Sequence, residues 1–238
     1  MIYVGSKARF KKYIVPIINK YVENNNIKSY IEPFVGGANI IDDVICFTKT
    51  GFDIDEDVIN IYEGVQQGWT PPLHISEELY TSLRHSSEKS FLRSYVSFAG
   101  SYASKKWGGV ARGFKADKIT PRDIYNERTR NFIKQIPKLL GIRFKKENYP
   151  NILVPDNSLI YCDPPYYGTT KYANKGFSHE KFWRWVDDMS KNNIVLVSEF
   201  TVPLGSKVIW ERSRACSLTK ATGDKNRIEK LVVYGDKI

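Results

Sequence analysis

The sequence predicts an α/β fold into which a basic segment, residues 84–150, is inserted. Short apolar runs alternate with amphipathic helical patterns on both sides of that segment, as the strands and helices of an α/β sheet do. The 238 residues are 42% hydrophobic and 13% aromatic, which is sufficient for the core of one large domain or two small ones. The same composition excludes collagen-like and disordered chains.

The first strands and helices are predicted before residue 66. Ser6 is expected to cap a helix whose apolar residues recur at helical spacing and which is kinked at Pro16. Ser29–Glu32 is predicted as a strand, and the apolar residues 40–47 are predicted as a helix. A second strand is expected at residues 50–54. The helix after it carries the apolar residues Val58, Ile61, Tyr62 and Val65.

The remaining predicted elements follow the basic segment. Ser158–Cys162 is expected to be a strand, and Ser178 is expected to cap a helix. Residues 194–197 are an unbroken apolar run, typical of a buried parallel strand. Residues 207–210 and 231–234 are predicted to form a closing hairpin.

The positive charge is concentrated in one stretch of the chain. The formal net charge is +10, yet residues 84–150 hold 16 Lys+Arg and five Asp+Glu, so the rest of the chain sums to −1. Aromatic residues and glycines interleave with these cations, which favours a polyanion partner, although a solvated basic surface is an alternative. The candidate nucleic-acid contacts are Lys105, Lys106, Trp107, Arg112 and Arg122.

The cysteines and the apolar runs give two further expectations. Cys46, Cys162 and Cys216 are far apart and form no CxxC pair, so neither a disulfide framework nor a metal site is expected. We see no leader-like start and no apolar run long enough for a membrane span, which predicts a soluble cytoplasmic protein.

A glycine turn and an acidic residue suggest a nucleoside-bearing cofactor. Gly36 and Gly37 follow the first predicted strand, and Asp53 lies at the end of the next one, 17 residues beyond Gly36. Such a turn permits close approach of the backbone to a ligand, and the carboxylate can accept hydrogen bonds from ribose hydroxyls. The pattern is not GxGxxG, so a pyrophosphate-bearing cofactor, and with it a dehydrogenase, is disfavoured.

The tetrapeptide Asp163-Pro164-Pro165-Tyr166 is the most specific motif of the chain. A given tetrapeptide occurs by chance in a chain of this length with a probability on the order of 0.001. The prolines could direct the Asp163 carboxylate and the Pro164 carbonyl at one amino group, with the tyrosine ring against a planar base. Two such acceptors localise the nitrogen lone pair for attack, most strongly in the transition state. A rigid proline turn with a buried tyrosine is the structural alternative.

In this order the motifs resemble those of the Dam-like adenine-specific DNA methyltransferases, the D12 class with the α-type motif order. Residues 3–7 resemble the N-terminal cofactor motif of that family, and residues 32–37 resemble its glycine motif. Residues 52–55 resemble its acidic motif, and residues 163–166 resemble its catalytic motif. The basic segment lies where the family has its target-recognition insert.

The resemblance implies a fold, a reaction and a setting. The fold is a Rossmann-like S-adenosylmethionine-dependent methyltransferase sheet formed by residues 1–66 and 151–238, with residues 67–150 as an inserted basic, loop-rich and helical target-recognition domain. The reaction is site-specific transfer of methyl from S-adenosyl-L-methionine to N6 of an adenine flipped out of double-stranded DNA. The setting is the cytoplasm of a bacterial or phage-infected cell and a restriction-modification system.

The resemblance also assigns residues by their position in the motifs. Asp163, Pro164 and Tyr166 become the catalytic residues. Ala38 replaces a glycine of many members, and Asp55 replaces a common asparagine. The expected cofactor contacts are Tyr3, Lys7, Phe34, Gly36, Gly37, Asp53 and Asp163.

Two alternatives remain at this point. The enzyme could instead methylate RNA or cytosine N4, since the same motif geometry could act on another exocyclic amine. The chain could also be a catalytically inactive DNA-binding protein on the same fold.

Overall fold

Seven strands form one mixed sheet in a computed structural model of the chain, and the structure describes residues 1–167, 176–204, 206–215 and 226–235. The strands are β1 (Ser29–Glu32), β2 (Thr48–Asp53), β3 (Arg143–Lys146), β4 (Ser158–Cys162), β5 (Ile194–Glu199), β6 (Ser206–Ala215) and β7 (Asn226–Tyr234). Their order is β3-β2-β1-β4-β5-β7-β6. β4 is parallel to β1 and β5, whereas β7 is antiparallel to β5 and β6. The 3-2-1-4-5 part is the order of a Rossmann-like sheet, and the predicted α/β class is confirmed.

Six α-helices lie in the described part of the chain. The predicted cap at Ser178 is confirmed, because its hydroxyl accepts a hydrogen bond from Lys181 N at 3.3 Å. Ser6 instead caps a short 3-10 turn, Lys7–Arg9, and the α-helix predicted there begins only at Lys11. The helices are α1 (Lys11–Asn24), α2 (Glu56–Gln66), α3 (Glu77–His85), α4 (Phe91–Ala99), α5 (Ile124–Leu139) and α6 (His179–Ser190).

The predicted strands agree closely with the structure. β1 and β4 have the predicted bounds, and β2 overlaps the predicted strand at residues 50–54. β5 extends the predicted apolar run to Glu199, and β6 and β7 form the predicted hairpin. All residues of β4 and β5 are buried. Both faces of such strands are covered, so their sequences are apolar runs that predict a strand.

The helix predicted at residues 40–47 is wrong, because the chain there forms a series of turns. Asp42 is buried in this segment, and its carboxylate accepts hydrogen bonds from Lys11 Nζ at 2.6 Å and from Gln135 Nε2 at 2.9 Å. Upstream, Ala38 has a φ of 51°, which turns the chain out of a helical path. Tertiary hydrogen bonds therefore override the apolar pattern of this segment.

The chain divides into two compact units. The first unit comprises residues 1–15, 35–44 and 51–146, and the second comprises residues 16–34, 45–50 and 147–238. This division differs from the predicted domains, because residues 67–146 group with the glycine turn and the end of β2 and do not form a unit of their own. Their predicted role in target recognition stays a prediction.

Helix α2 organises the first unit. The Tyr62 ring stacks on the Phe144 ring of β3 with centroids 4.2 Å apart, and Gln66 Nε2 donates to Ile142 O at 2.5 Å. Gly64 packs against the Phe91 ring, at the start of α4. These contacts join α2 to elements on both ends of the basic segment, which explains why that segment does not separate.

The second unit has a core of parallel strands and aromatic rings. β4 lies between β1 and β5, and every residue of β4 and β5 is buried. Phe182 and Trp185 of α6 are buried with Tyr149, whose ring centroid is 5.7 Å from that of Phe182. None of the helices in the described ranges combines the length and the apolarity that a membrane span needs.

We expect Gly64→Ala to lower the free energy of unfolding. Alanine favours a helix by about 1 kcal/mol over glycine, but overpacking costs about 1–3 kcal/mol. A Cβ at Gly64 would lie 2.6 Å from Phe91 Cγ, so packing decides the sign. Denaturant unfolding measures the change, and Gly141→Ala is the control because a Cβ there meets nothing within 4 Å. A stabilised Gly64→Ala variant would contradict this account of the contact between α2 and α4.

Candidate functional site

The glycine turn and the acidic motif come together in the first unit. Gly36 N donates to Asp53 Oδ2 at 2.9 Å, and Asp55 N donates to Asp53 Oδ1 at 2.9 Å. Tyr62 of α2 donates its hydroxyl to Gly36 O at 2.5 Å. One carboxylate thus ties the turn that follows β1 to the end of β2 and the start of α2.

The turn has no space for larger residues. Gly36 has a φ of 43°, and a Cβ there would lie 2.8 Å from Cδ1 of Tyr3. A Cβ on Gly37 would lie 2.5 Å from Met1 O and 2.4 Å from Asn39 Nδ2. Tyr3 therefore lies directly on the turn, so three predicted cofactor contacts, Tyr3, Gly36 and Gly37, are neighbours in the structure.

Asp53 has the chemistry of an acceptor for hydroxyl groups. Its side chain is buried, with 7% of the residue exposed. Burial raises the pKa of Asp53 to about 6, although the N–H groups of Asp55 and Gly36 oppose this rise. The carboxylate accepts backbone hydrogen bonds from Gly36 at Oδ2 and from Asp55 at Oδ1, and a further one from Ile54. A carboxylate has about four lone-pair sites, so it retains capacity to accept from a ligand. The carboxylate and its tight glycine turn therefore fit a ribose with vicinal hydroxyls.

Two other predicted cofactor residues lie in different surroundings. Lys7 is buried, with 4% exposed, in the 3-10 turn capped by Ser6. Phe34 belongs to the second unit, where it lies among aromatic rings, with its centroid 5.4 Å from that of Tyr149 and 5.8 Å from that of Phe182. Asp163 also belongs to the second unit.

The motif Asp163-Pro164-Pro165-Tyr166 begins directly after β4. Asp163 is partly exposed, whereas Pro164 and Tyr166 are buried. In an open α/β sheet the carboxyl ends of the strands bind ligands where the strand order reverses, and β1 and β4 are such neighbours. The three predicted catalytic residues therefore lie at the switch point of the parallel strands.

Tyr166 is held by residues that the sequence did not single out. Its hydroxyl donates to the Glu229 carboxylate of β7, and its ring meets the Phe200 ring edge to face with centroids 4.5 Å apart. Burial and the negative charges of Asp163 and Glu229 raise the pKa of Tyr166 well above its ordinary value, so the hydroxyl stays a donor. The alternation of side chains along β7 could have indicated that Glu229 is buried, because it shares a face of the strand with Leu231, which is also buried.

Glu199 is a second buried acid of this unit. It ends β5 with 1% exposed, and its Oε1 accepts a hydrogen bond from Phe200 N at 2.7 Å. Burial raises the pKa of Glu199 to about 7. Its only sequence signal was a polar residue at the end of an apolar run.

Most of the predicted nucleic-acid contacts have partners within the first unit. Lys106 Nζ lies 2.6 Å from Asp55 Oδ1 and 2.7 Å from Asp57 Oδ2. Trp107 is partly buried, with the guanidinium of Arg93 5.3 Å from its ring centroid. The other paired cations are Arg112, with Glu77, and Arg122, with Glu127.

Lys105 is exposed like Lys106, Arg112 and Arg122, and it differs from them in having no ion pair in the described part of the chain. Exposed apolar side chains lie in the same stretch, since Tyr102 and Phe114 are each 60% exposed and Ile119 is 80% exposed. Further basic residues that are exposed and without an ion pair to any described residue are Arg84, Lys115, Lys118, Arg130, Lys134, Arg143 and Lys145.

The described cysteines are free thiols that belong to no metal site. Cys46 is partly exposed and Cys162 is buried, both as free thiols, and Cys216 lies outside the described residues. Within those residues no three His, Cys, Asp or Glu side chains cluster so as to hold a metal ion.

Comparisons with known proteins place part of the sequence in a family. Residues 3–94 match the family described as D12 class N6 adenine-specific DNA methyltransferase. The crystal structure of SMU.472, a proposed methyltransferase complexed with SAH, aligns with a TM-score of 0.41 and 12% identity over 99% of this chain and 54% of that one, so this chain spans about half of its length. No curated protein matches the sequence. Residues 3–94 are thus similar in sequence to D12 class methyltransferases, which confirms the predicted resemblance over that part of the chain.

Proposed function

We propose that this protein is a site-specific DNA adenine N6-methyltransferase that takes its methyl group from S-adenosyl-L-methionine. The match of residues 3–94 to N6 adenine-specific DNA methyltransferases carries the proposal. That match ends before Asp163, so the chemistry at the target amine rests on the motif after β4 and its surroundings.

The first part of the proposal concerns the cofactor. S-adenosylmethionine, when bound, supplies an electrophilic methyl group. Asp53 would accept hydrogen bonds from the ribose hydroxyls, and Gly36 and Gly37 would let the backbone approach the ligand. Tyr3 and Lys7 of the N-terminal motif would also contact it. The remaining proposed contacts, in the second unit, are Phe34 and Asp163.

The second part concerns the target adenine. N6 of an adenine is a poor nucleophile because its lone pair is delocalised into the ring. The Asp163 carboxylate and the Pro164 carbonyl would accept its two N–H hydrogens, which localises the lone pair and stabilises the positive charge that develops on nitrogen. The adenine would leave the helix and stack on Tyr166, since an enzyme cannot reach this atom inside a duplex.

The third part concerns DNA. The exposed cations of residues 84–146 would contact phosphates and supply most of the affinity, and exposed apolar side chains such as Tyr102 and Phe114 would contact bases. Lys106, Arg112 and Arg122 could contribute only by sharing or leaving their carboxylate partners.

We expect Asp163→Ala to lower methyl transfer at least about 100-fold, because it removes an acceptor that acts on developing charge. The assay uses labelled S-adenosylmethionine and unmethylated DNA, followed by digestion and identification of the modified base. Asp188→Ala, which removes an exposed acid paired with Lys191, is the control and should retain activity. Unmodified DNA with the wild type, or equal labelling by Asp163→Ala, would contradict the proposal.

Parallel reactions with RNA and with a duplex that offers cytosine N4 but no adenine separate the alternative substrates. Labelling of either, with DNA adenine unlabelled, would replace the proposed substrate. DNA binding without binding of S-adenosylmethionine in calorimetry would favour an inactive DNA-binding protein.

We expect binding of S-adenosylmethionine to weaken as the pH falls below about 6, by up to about tenfold per pH unit. The pKa of Asp53 is raised to about 6 by burial, and a ligand that prefers the ionised carboxylate loses that partner once Asp53 is protonated. Calorimetric titrations across the acidic range measure the effect. Asp53→Asn should bind more weakly at neutral pH with a flat profile, while Glu63→Gln, at an exposed position of α2, should keep the wild-type profile. An unchanged profile in Asp53→Asn would remove Asp53 from the ribose site.

We expect Lys105→Ala to reduce the slope of log K against log salt for duplex DNA by about one. Lys105 is exposed and has no ion pair in the described ranges, so its ammonium can replace a counterion on a phosphate. Arg122→Ala should change the slope less, because Arg122 already pairs with Glu127. Fluorescence anisotropy of a labelled duplex at several salt concentrations measures both slopes, and a larger change in Arg122→Ala would reverse this ranking.

A further inference from the structure

Tyr166 is constrained at three points within the second unit. Pro164 and Pro165 restrict the backbone that leads to it. Its hydroxyl donates a hydrogen bond to Glu229, and its ring meets the Phe200 ring at 88° with centroids 4.5 Å apart. The backbone, the ring edge and the hydroxyl of this residue are therefore all held.

Burial of the Glu229 carboxylate is expected to lower the stability of the fold. Glu229 lies on β7 between two neighbouring strands and is 0% exposed, as is Leu231, the next residue on the same face. A buried carboxylate requires hydrogen bonds or a nearby positive charge, whereas a Phe and Leu pair would fill the same space without that requirement. Arg212 of β6 is in register with Glu229, and side chains directly opposite in an antiparallel pair are neighbours.

The geometry of a phenol explains what such a carboxylate can do. The O–H bond prefers the plane of the ring, so an acceptor fixed in the core selects the ring plane as well as the direction of the side chain. Phenylalanine at the same place would keep the contact with Phe200 but would lose that selection. Buried polar groups specify one arrangement in some proteins at a cost in stability.

We propose that Glu229 is a positioning residue that sets the ring plane of Tyr166 for stacking of the target base, an inference that rests on the proposed function. The base that stacks on this ring must also present its amine to Asp163 and Pro164, which precede Tyr166 by three and two residues. A tilt of the ring moves the base away from those acceptors. Small misplacements of a reacting group are enough to lower the rate of a positioned reaction strongly.

The test is a double-mutant cycle of Tyr166→Phe and Glu229→Leu, assayed with labelled S-adenosylmethionine and unmethylated DNA. We expect each single variant to lower kcat about tenfold, with KM for S-adenosylmethionine within about twofold of the wild type. The double variant should be no slower than the slower single variant, because both changes remove the same hydrogen bond. Glu229→Gln keeps an acceptor oxygen and should restore at least about half of the wild-type kcat.

Tyr161→Phe is the matched control. Tyr161 is also buried in the second unit, and its hydroxyl lies 2.9 Å from Ser198 Oγ, so the variant loses a buried hydrogen bond in which no residue of the motif takes part. We expect it to lose stability with kcat unchanged. If Glu229→Leu does not fold, Glu229→Ala takes its place in the cycle, and its loss in kcat must again be non-additive with that of Tyr166→Phe.

The outcomes distinguish the two proposals. Additive losses in kcat, or losses that follow the unfolding midpoint of each variant as they would for a structural residue, overturn the role of Glu229 while methylation by the wild type stands. A wild type that transfers no methyl group overturns the proposed function itself, and this role with it.

Discussion

The hydrogen bonds to the Asp53 carboxylate are the interaction on which the first unit depends. The Gly36 amide reaches it from the turn after β1, and the Asp55 amide reaches it from the cap of α2. Tyr62 of α2 then donates to Gly36 O, which closes the set. A carboxylate with 7% exposure is tolerated because these donors replace water. The constraint that organises the fold thus also leaves a desolvated acceptor, whose remaining lone pairs suit a polar ligand better than solvent.

In the second unit, the acidic residue that follows a buried strand is held in a different way. Asp163 follows a strand that is buried on both faces, and the prolines after it have no backbone N–H to donate. The motif is therefore anchored through Tyr166, whose hydroxyl reaches Glu229 and whose ring reaches Phe200. Asp53 is held by backbone donors, which oppose the rise in its pKa that burial causes. Asp163 is partly exposed, which is compatible with its proposed contact with a substrate amine.

Local signals predicted the parts of the molecule that local forces determine. The bounds of β1 and β4, the cap at Ser178 and the pairing of the last two strands all follow from residues within one turn or one strand of each other. Contacts between distant residues were beyond such signals. Asp42 lies in the segment predicted as a helix and accepts a hydrogen bond from Gln135, 93 residues away. Tyr166 donates a hydrogen bond to Glu229, 63 residues away. Periodicity indicates at most that Glu229 lies on the buried face of β7, and it does not indicate which residue each of these side chains contacts.

The distribution of charge shows how such distant contacts change a conclusion drawn from the sequence. Counted along the chain, residues 84–150 carry the whole excess, at +11. Counted by compact unit, the first unit holds 20 Lys+Arg and 13 Asp+Glu, or +7, and the second holds +3. The difference arises because acids of residues 42–77 lie against the basic segment, as Lys106 with Asp55 and Arg112 with Glu77 illustrate. Those pairs connect the segment to the rest of the first unit. Within the described residues, the cations of the segment that lack such partners include Lys105, Arg143 and Lys145, so the proposed affinity for a polyanion rests on residues of this kind.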